Sequence, residues 1–409
     1  MRTKLLLLTL LLFSFGCATT YQTSSRTARS SFYSGRFAEA AKALEAKANE
    51  DSKDQLLYLF DRGMALQLAG DYKDSEKDWL AADKMSEVKD YVSLSTEAAT
   101  LITNDNIKQY KGEDFEKVII NAFLAIDYTL QGNFEDALVE CRRVNQKLYK
   151  YKFEAKKDYE QNPFARYLSA LIWEASDHPD DAYIDFKEAY KIDPSFPYLK
   201  YDLVKWAKRL GRFEDLKEWQ TEFGDVKVPS AKDDSKTGQV ILIYQQGRSA
   251  EKRPNPASHR FPKFFHRFST TTEAVMEVPD ENISEHTHEI YSISKVAIKT
   301  LDDAYAGLVA KRVAGVVAKA VIADQVAQHN QLLGMLTWAG LNAMDQADLR
   351  FWETLPDTLQ IAKLRLSPGS HEIRVVGLSG PSQPTGEQTN FKVNIEPGKT
   401  VFLNWRSLR

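Results

Sequence analysis

From residue 28 to residue 224 the apolar positions recur with the period of helices buried on one face, in paired segments joined by short polar turns. The texture changes after Gly224. A polar stretch at 228–237 leads into QVILIYQQG, an unbroken β-branched run that predicts a buried strand. Residues 247–262 hold Pro254, Pro256 and Pro262 among charges and predict a loop, while 270–278 and 289–293 read as strands. From 298 to 344 the chain is rich in Ala, Val and Gly at helical spacing, which predicts one long helix or a helical hairpin broken near Gly334. Gly315 and Gly340 would let helices approach closely there. From 349 to 409 four alternating stretches are separated by Pro368-Gly369, a Gly/Pro/Ser loop and Pro397-Gly398, the pattern of a small antiparallel sheet or sandwich. The fold class expected is α+β multidomain: a helical solenoid over 28–224, then a domain over 238–409, helical at 298–344 and β-rich at 349–409.

Within the helical half one short motif recurs: Gly, any residue, aromatic, any residue, acidic, small. It appears at Gly35-Arg36-Phe37-Ala38-Glu39-Ala40, Gly70-Asp71-Tyr72-Lys73-Asp74-Ser75 and Gly132-Asn133-Phe134-Glu135-Asp136-Ala137. A weaker copy starts at Gly211 and a degenerate one spans 177–182. An antiparallel helix pair needs such a turn: glycine supplies the left-handed residue, the aromatic fills the groove, and the small residue lets the helices close. These residues resemble the tetratricopeptide repeat. In the second copy the match runs through Gly63, Leu66, Gly70, Tyr72, Ser75, Trp79 and Ala82, and in the fourth through Ala170, Trp173, Ala182, Phe186, Ala189 and Pro194. Successive glycines lie 35, 62 and 79 residues apart, so insertions at 86–112 and 146–162 interrupt a uniform array. Residues 92–102 in the first insertion predict a helix, and the charged run 147–157 predicts a solvated helix extension. The resemblance implies a protein or peptide partner held along the concave face. Tyr33, Tyr58, Tyr128, Tyr167 and Tyr201 are the candidates for lining it, with core packing the competing reading for each.

The N-terminus adds a destination. Arg2 and Lys4 precede an apolar stretch from Leu5 to Phe15 that ends at Gly16-Cys17, a secretion signal too short for the roughly 20 apolar residues of a membrane span. The FSFGC segment resembles a bacterial lipobox, although Ser14 stands where such motifs usually carry Leu. The resemblance implies cleavage after residue 16, acylation of Cys17, a linker over 17–27 and, from Ala18, a periplasm-facing anchor in the outer membrane. Cys141 would then be the remaining thiol, unable to form an intramolecular disulfide, and reads as a core filler.

Charge and motif content narrow the function. Loss of residues 1–16 takes the formal net charge from −3 to −5, which gives no bulk electrostatic basis for nucleic-acid binding. The sequence carries no phosphate-binding glycine loop, nucleophile elbow or zinc-hydrolase helix motif, and no cofactor is expected. His286-Thr287-His288, flanked by Glu285 and Glu289, is the one metal-like cluster, without a third motif to complete it. Residues 325–344 lack formal charge, but Gln325, Gln328, His329, Asn330, Gln331 and Asn342 oppose membrane insertion and favour a core or an oligomer contact. The segment DLRFWETLPDTLQIAKLRLSPG, with the Ala-rich helix and the upstream repeats, resembles a family of tetratricopeptide-like bacterial envelope lipoproteins without an assigned function. Members are often encoded beside lipoproteins similar to penicillin-binding-protein activators. The function expected is a non-enzymatic, lipid-anchored periplasmic scaffold for a protein partner, in cell-envelope assembly or maintenance. The alternatives are a structural subunit of a multimeric envelope complex, joined through 298–344, and a metal-dependent enzyme at the His286 cluster.

Overall fold

A computed structural model describes residues 21–88, 109–153, 161–343, 347–380 and 382–409. The signal segment, Cys17, the helix expected over 92–102 and the end of the charged run lie outside the described residues. The chain is α+β: helical hairpins, then a β-sandwich from which a long helical hairpin extends. A short α1 (Tyr21–Ser24) precedes five helix pairs: α2 (Arg26–Tyr33) with α3 (Phe37–Ala48), α4 (Gln55–Ala69) with α5 (Tyr72–Val88), and α6 (Asp114–Leu130) with α7 (Phe134–Phe153). The series continues with α8 (Pro163–Ala175) and α9 (Pro179–Ile192), then α10 (Pro197–Arg209) and α11 (Phe213–Phe223).

Each pair turns at the position the motif marks. Gly35, Gly70, Gly132 and Gly211 take φ of 75°, 82°, 74° and 66°, and Asp177 takes 62° in the degenerate copy. At each turn the following residue donates its N–H back to a carbonyl of the preceding helix, as Asp71 does to Leu66 and His178 to Trp173, closing the helix end. The small residues Ala40, Ser75, Ala137 and Ala182 are buried at the closures. Gly63 allows a close approach, since a Cβ there would meet the Trp79 ring at 3.0 Å. The aromatic is less uniform: Phe213 is 76% exposed and fills no groove. The linker expected over 17–27 is helical from Tyr21 onward, and because Tyr21 is buried against the repeats the array starts there rather than at residue 28.

The helix α12 (Ala231–Asp234) leads to β1 (Gly238–Gln246), buried along its whole length. β1 pairs in parallel with β10 (Thr400–Arg406) and antiparallel with β7 (Thr358–Leu366), whose other edge carries β6 (His288–Ser292). A second, antiparallel sheet runs β5 (Ile283–His286), β4 (Glu273–Val278), β8 (Gly369–Leu378), β9 (Pro384–Ile395). Val240, Leu242 and Tyr244 face this second sheet across a core shared with Met276, Ile373 and Val375. Ile241 and Ile243, on the opposite face of β1, join the core of the helical array. Burial on both faces is why the QVILIYQQG run shows no polar alternation.

Three expectations are corrected. The Pro-Gly corners at 368–369 and 397–398 are not hairpin turns within one sheet; each carries the chain from one sheet to the other, so β7 and β10 sit in the first sheet and β8 and β9 in the second. Residues 247–262 are not a loop, since β2 (Glu251–Asn255) and β3 (Ser258–Phe265) form a two-stranded ribbon there. Pro254 and Pro262 are cross-strand partners in it, tolerated because a two-stranded ribbon consists of edges. The long helix α13 (Ile293–His329) breaks at Asn330, in extended backbone, and not at Gly334. α14 (Gln331–Ala343) doubles back from there, with Gly334 so close to Ala327 that a Cβ would lie 2.4 Å from the alanine methyl.

Candidate functional site

The groove of the first three helix pairs is filled by the chain itself. Residues 347–357, without helix or strand, run through it as an extended strap between α14 and β7. Trp352 is fully buried at its centre, with its ring stacked on Phe60 at 4.3 Å and tilted against Trp79 at 5.0 Å and Phe123 at 5.7 Å. Polar anchors flank it. Arg350 donates to Asp54 at 2.8 Å, the Trp352 backbone N–H donates to Glu116 at 2.6 Å, and the Thr354 hydroxyl donates to Asp61 at 2.8 Å. Glu353 pairs with Arg29, and its carbonyl accepts from the Tyr33 hydroxyl at 2.6 Å. An extended peptide with a central aromatic and a charged contact on either side is what such a groove would hold from a partner; here the ligand is supplied in cis.

Burial dominates the ionisation of the carboxyls that hold the strap. The Asp61 carboxyl, accepting from Tyr21 and Thr354, is pushed up to about 6, and that of Glu116, accepting from Tyr110 and two backbone amides, to about 7. Asp127, which accepts from Gln67 and Trp79 behind the tryptophan cluster, is also pushed up to about 7. Farther along, the buried Lys363 of β7 reaches Asp202 of α10 at 2.7 Å, and Asp202 also accepts from Tyr167. The helices and the first sheet are therefore joined through charges as well as through one apolar core.

This arrangement relocates the five tyrosine candidates. Tyr58, Tyr128 and Tyr167 are buried, with hydroxyls engaged by Ser24, Glu76 and Asp202. Tyr33 lies beneath the Arg248 guanidinium at 3.8 Å and contacts the strap, while Tyr201 is half-buried, its hydroxyl pushed up to about 12 by burial. Tyr58, Tyr128 and Tyr167 thus pack within the body, and Tyr33 holds the strap. Cys141 is buried as well, and burial pushes its thiol up.

The histidine pair is separated by topology. The chain crosses from β5 to β6 at the buried Thr287, so the two imidazoles do not share one continuous strand. His286 lies 3.8 Å from Glu273, and His288 packs edge-on to Tyr198. No group of three or more His, Cys, Asp or Glu side chains converges as a metal site among the described residues.

Two exposed surfaces stand out among the described residues. A shallow depression on α7 and α8 is lined by Asn145, Gln146, Tyr149, Lys150 and Arg166. Beside it Tyr149 and Phe153 are each 60% exposed, with ring centroids 4.4 Å apart. The charged run at 147–157, expected to be solvated, exposes aromatics as well. The signal was the i, i+4 aromatic pair within YKYKF, which is a contact on one helix face. The second open surface is the α13–α14 hairpin. None of its helices is long and apolar enough to cross a membrane.

No protein-family model and no curated protein matches the chain. Among solved structures, MamA from Desulfovibrio magneticus RS-1 is 14% identical, with 48% of this chain and 89% of that one covered at a TM-score of 0.32. A kinesin light chain-like protein of Podosopora anserina with TPR-like repeats is 14% identical, with 50% and 97% covered at 0.32. A tetratricopeptide repeat protein from Parabacteroides merdae is 14% identical, with 50% and 66% covered at 0.33. The assignment of helical repeats rests on the turns and helix pairs described above.

Proposed function

We propose that this protein is a non-enzymatic scaffold of the bacterial envelope, held at the periplasmic face of the outer membrane by a lipid on Cys17. The observation that carries the scaffold reading is the exposed aromatic pair Tyr149 and Phe153 of α7, beside Lys150 of the same helix and Arg166 of α8. Exposed aromatics ringed by cations and amides suit a partner segment that combines apolar and acidic residues. The repeats thus build a rigid body around their own strap and present an outer face to the partner. Role in cell-envelope assembly or maintenance follows from the resemblance to envelope lipoproteins carried by FSFGC and DLRFWETLP.

Both parts of the reading have direct tests. Cys17→Ser is expected to abolish acylation, so that mass spectrometry no longer finds the mass of several acyl chains on the protein; an unsubstituted protein that carries no such mass would sink the anchor. For the partner face, a photo-crosslinking residue at Tyr149 in native envelopes should give a discrete adduct. That adduct should be at least tenfold weaker when Phe153→Ala and Arg166→Ala are added, in line with about 1–2 kcal/mol from such residues. An adduct of equal yield in the substituted protein would refute it. Deleting the repeats is not an equivalent experiment, since it would remove half of a shared core.

A further inference from the structure

Beyond Leu301 the helix α13 leaves the domain core and runs outward with β3 and α14 beside it. Two faces of this hairpin differ. Gly315, Lys319 and Ala323 are buried on the inner side of α13. The outer side carries Ala306, Ala310, Val313, Val317 and Ala320, all exposed, at alternating steps of four and three residues. That spacing is the seam along which one helix receives another, and small side chains make it a shallow valley. α14 presents the complement. Leu332, Leu336 and Ala339 are exposed and follow the same steps of four and three, with larger side chains forming a ridge. Neither strip includes a charged residue, so bringing them together desolvates no ion.

From these features we infer that the hairpin is a head-to-tail contact between copies of this chain, the α14 ridge of one copy seated in the α13 valley of the next. One such contact covers the valley of one copy and the ridge of the next, and the eight large apolar side chains exposed between Val313 and Trp338 make up on the order of 900 Å² of that total, near the roughly 1,000 Å² at which specific interfaces begin. Because valley and ridge lie on opposite outer faces of the hairpin, two copies cannot seat both at once, and the contact closes into a ring or extends as a filament rather than stopping at a dimer. A bilayer is the poorer occupant: the hairpin tip, Gln325 to Gln331, holds five polar side chains that would enter lipid first. The inference is independent of the Tyr149 face.

The test uses the mature chain with Cys17→Ser, so that no acyl chain drives association, in sedimentation velocity, with two further single variants: Val317→Glu spoils the valley and Leu336→Glu spoils the ridge. Both side chains are 59% exposed, so melting temperatures should match the parent chain. The parent chain is expected to form species larger than a dimer and each variant alone to be monomeric. An equimolar mixture of the two should give a dimer, because one intact valley and one intact ridge remain. A monomeric parent chain, oligomers that survive either substitution, or a mixture that stays monomeric would each overturn the inference. Co-sedimentation of a monomer with phosphatidylethanolamine and phosphatidylglycerol vesicles, abolished by either variant, would assign the face to lipid and overturn it equally.

Discussion

Replacing Trp352 with alanine is expected to cost about 3–5 kcal/mol and to melt the helical and β portions in one transition. The indole is fully buried against Phe60, Trp79 and Phe123, which come from two successive helix pairs, so its removal leaves a cavity that no single hairpin can collapse to fill. The same core continues into Ile241 and Ile243 of β1 and Ile361 of β7. Loss of the strap therefore loosens both halves at once. Phe213→Ala, at an exposed ring of similar size, should change stability by less than about 0.5 kcal/mol. Urea unfolding followed by far-ultraviolet circular dichroism and by tryptophan fluorescence distinguishes the cases: coincident curves support one cooperative unit, and two separated transitions would show that the halves fold apart.

Much of this body was legible residue by residue, and the gaps have physical reasons. The helix pairs announced themselves because a left-handed turn residue, an aromatic and a small residue at fixed offsets are each needed where two helices meet. Asp177 shows that the geometry persists without glycine, its short side chain tolerating positive φ. Burial of β1 on both faces was visible in its unbroken apolar run, but its parallel pairing with β10, more than 150 residues away, leaves no local mark. The strap was invisible for a related reason. An extended segment fixed by a distant groove has no period of its own, and nothing in DLRFWETLP marks it as the occupant of one. Tyr58, Tyr128 and Tyr167 were ambiguous because a helix shows which residues share a face, not whether that face meets a partner or its own chain. Breakage at Asn330 rather than Gly334 follows the same logic: the glycine was needed for close packing beside the turn, not for the turn.

The groove carboxyls lead to a pH dependence opposite to ordinary acid denaturation. Unfolded aspartate and glutamate titrate near pH 4, whereas Asp61 is held at about 6 and Glu116 and Asp127 at about 7 by burial that outweighs their hydrogen bonds. Between these limits the folded chain binds more protons than the unfolded chain. The stability they contribute is thus fully present below about pH 4 and is lost as pH rises through 6 and 7. Stability should fall from pH 5 to pH 8 by several kcal/mol in aggregate, at about 1.4 kcal/mol per pKa unit for each group. His288, whose imidazole is pushed down by burial, works against this trend over the same window, but it is half-exposed and contributes less. Asp348, held below the usual range beside Arg350, loses its contribution only as pH falls below 4, outside the window. Urea midpoints at pH 5, 6, 7 and 8 measure the slope. Glu116→Gln should flatten it by removing the titrating group, with a cost that is the same at every pH because the amide NH2 meets the backbone N–H of Glu113 or of Trp352. A slope that rises with pH, or one unchanged by Glu116→Gln, would mean that the carboxyl stays ionised in the groove, held by the donors from Tyr110, Glu113 and Trp352.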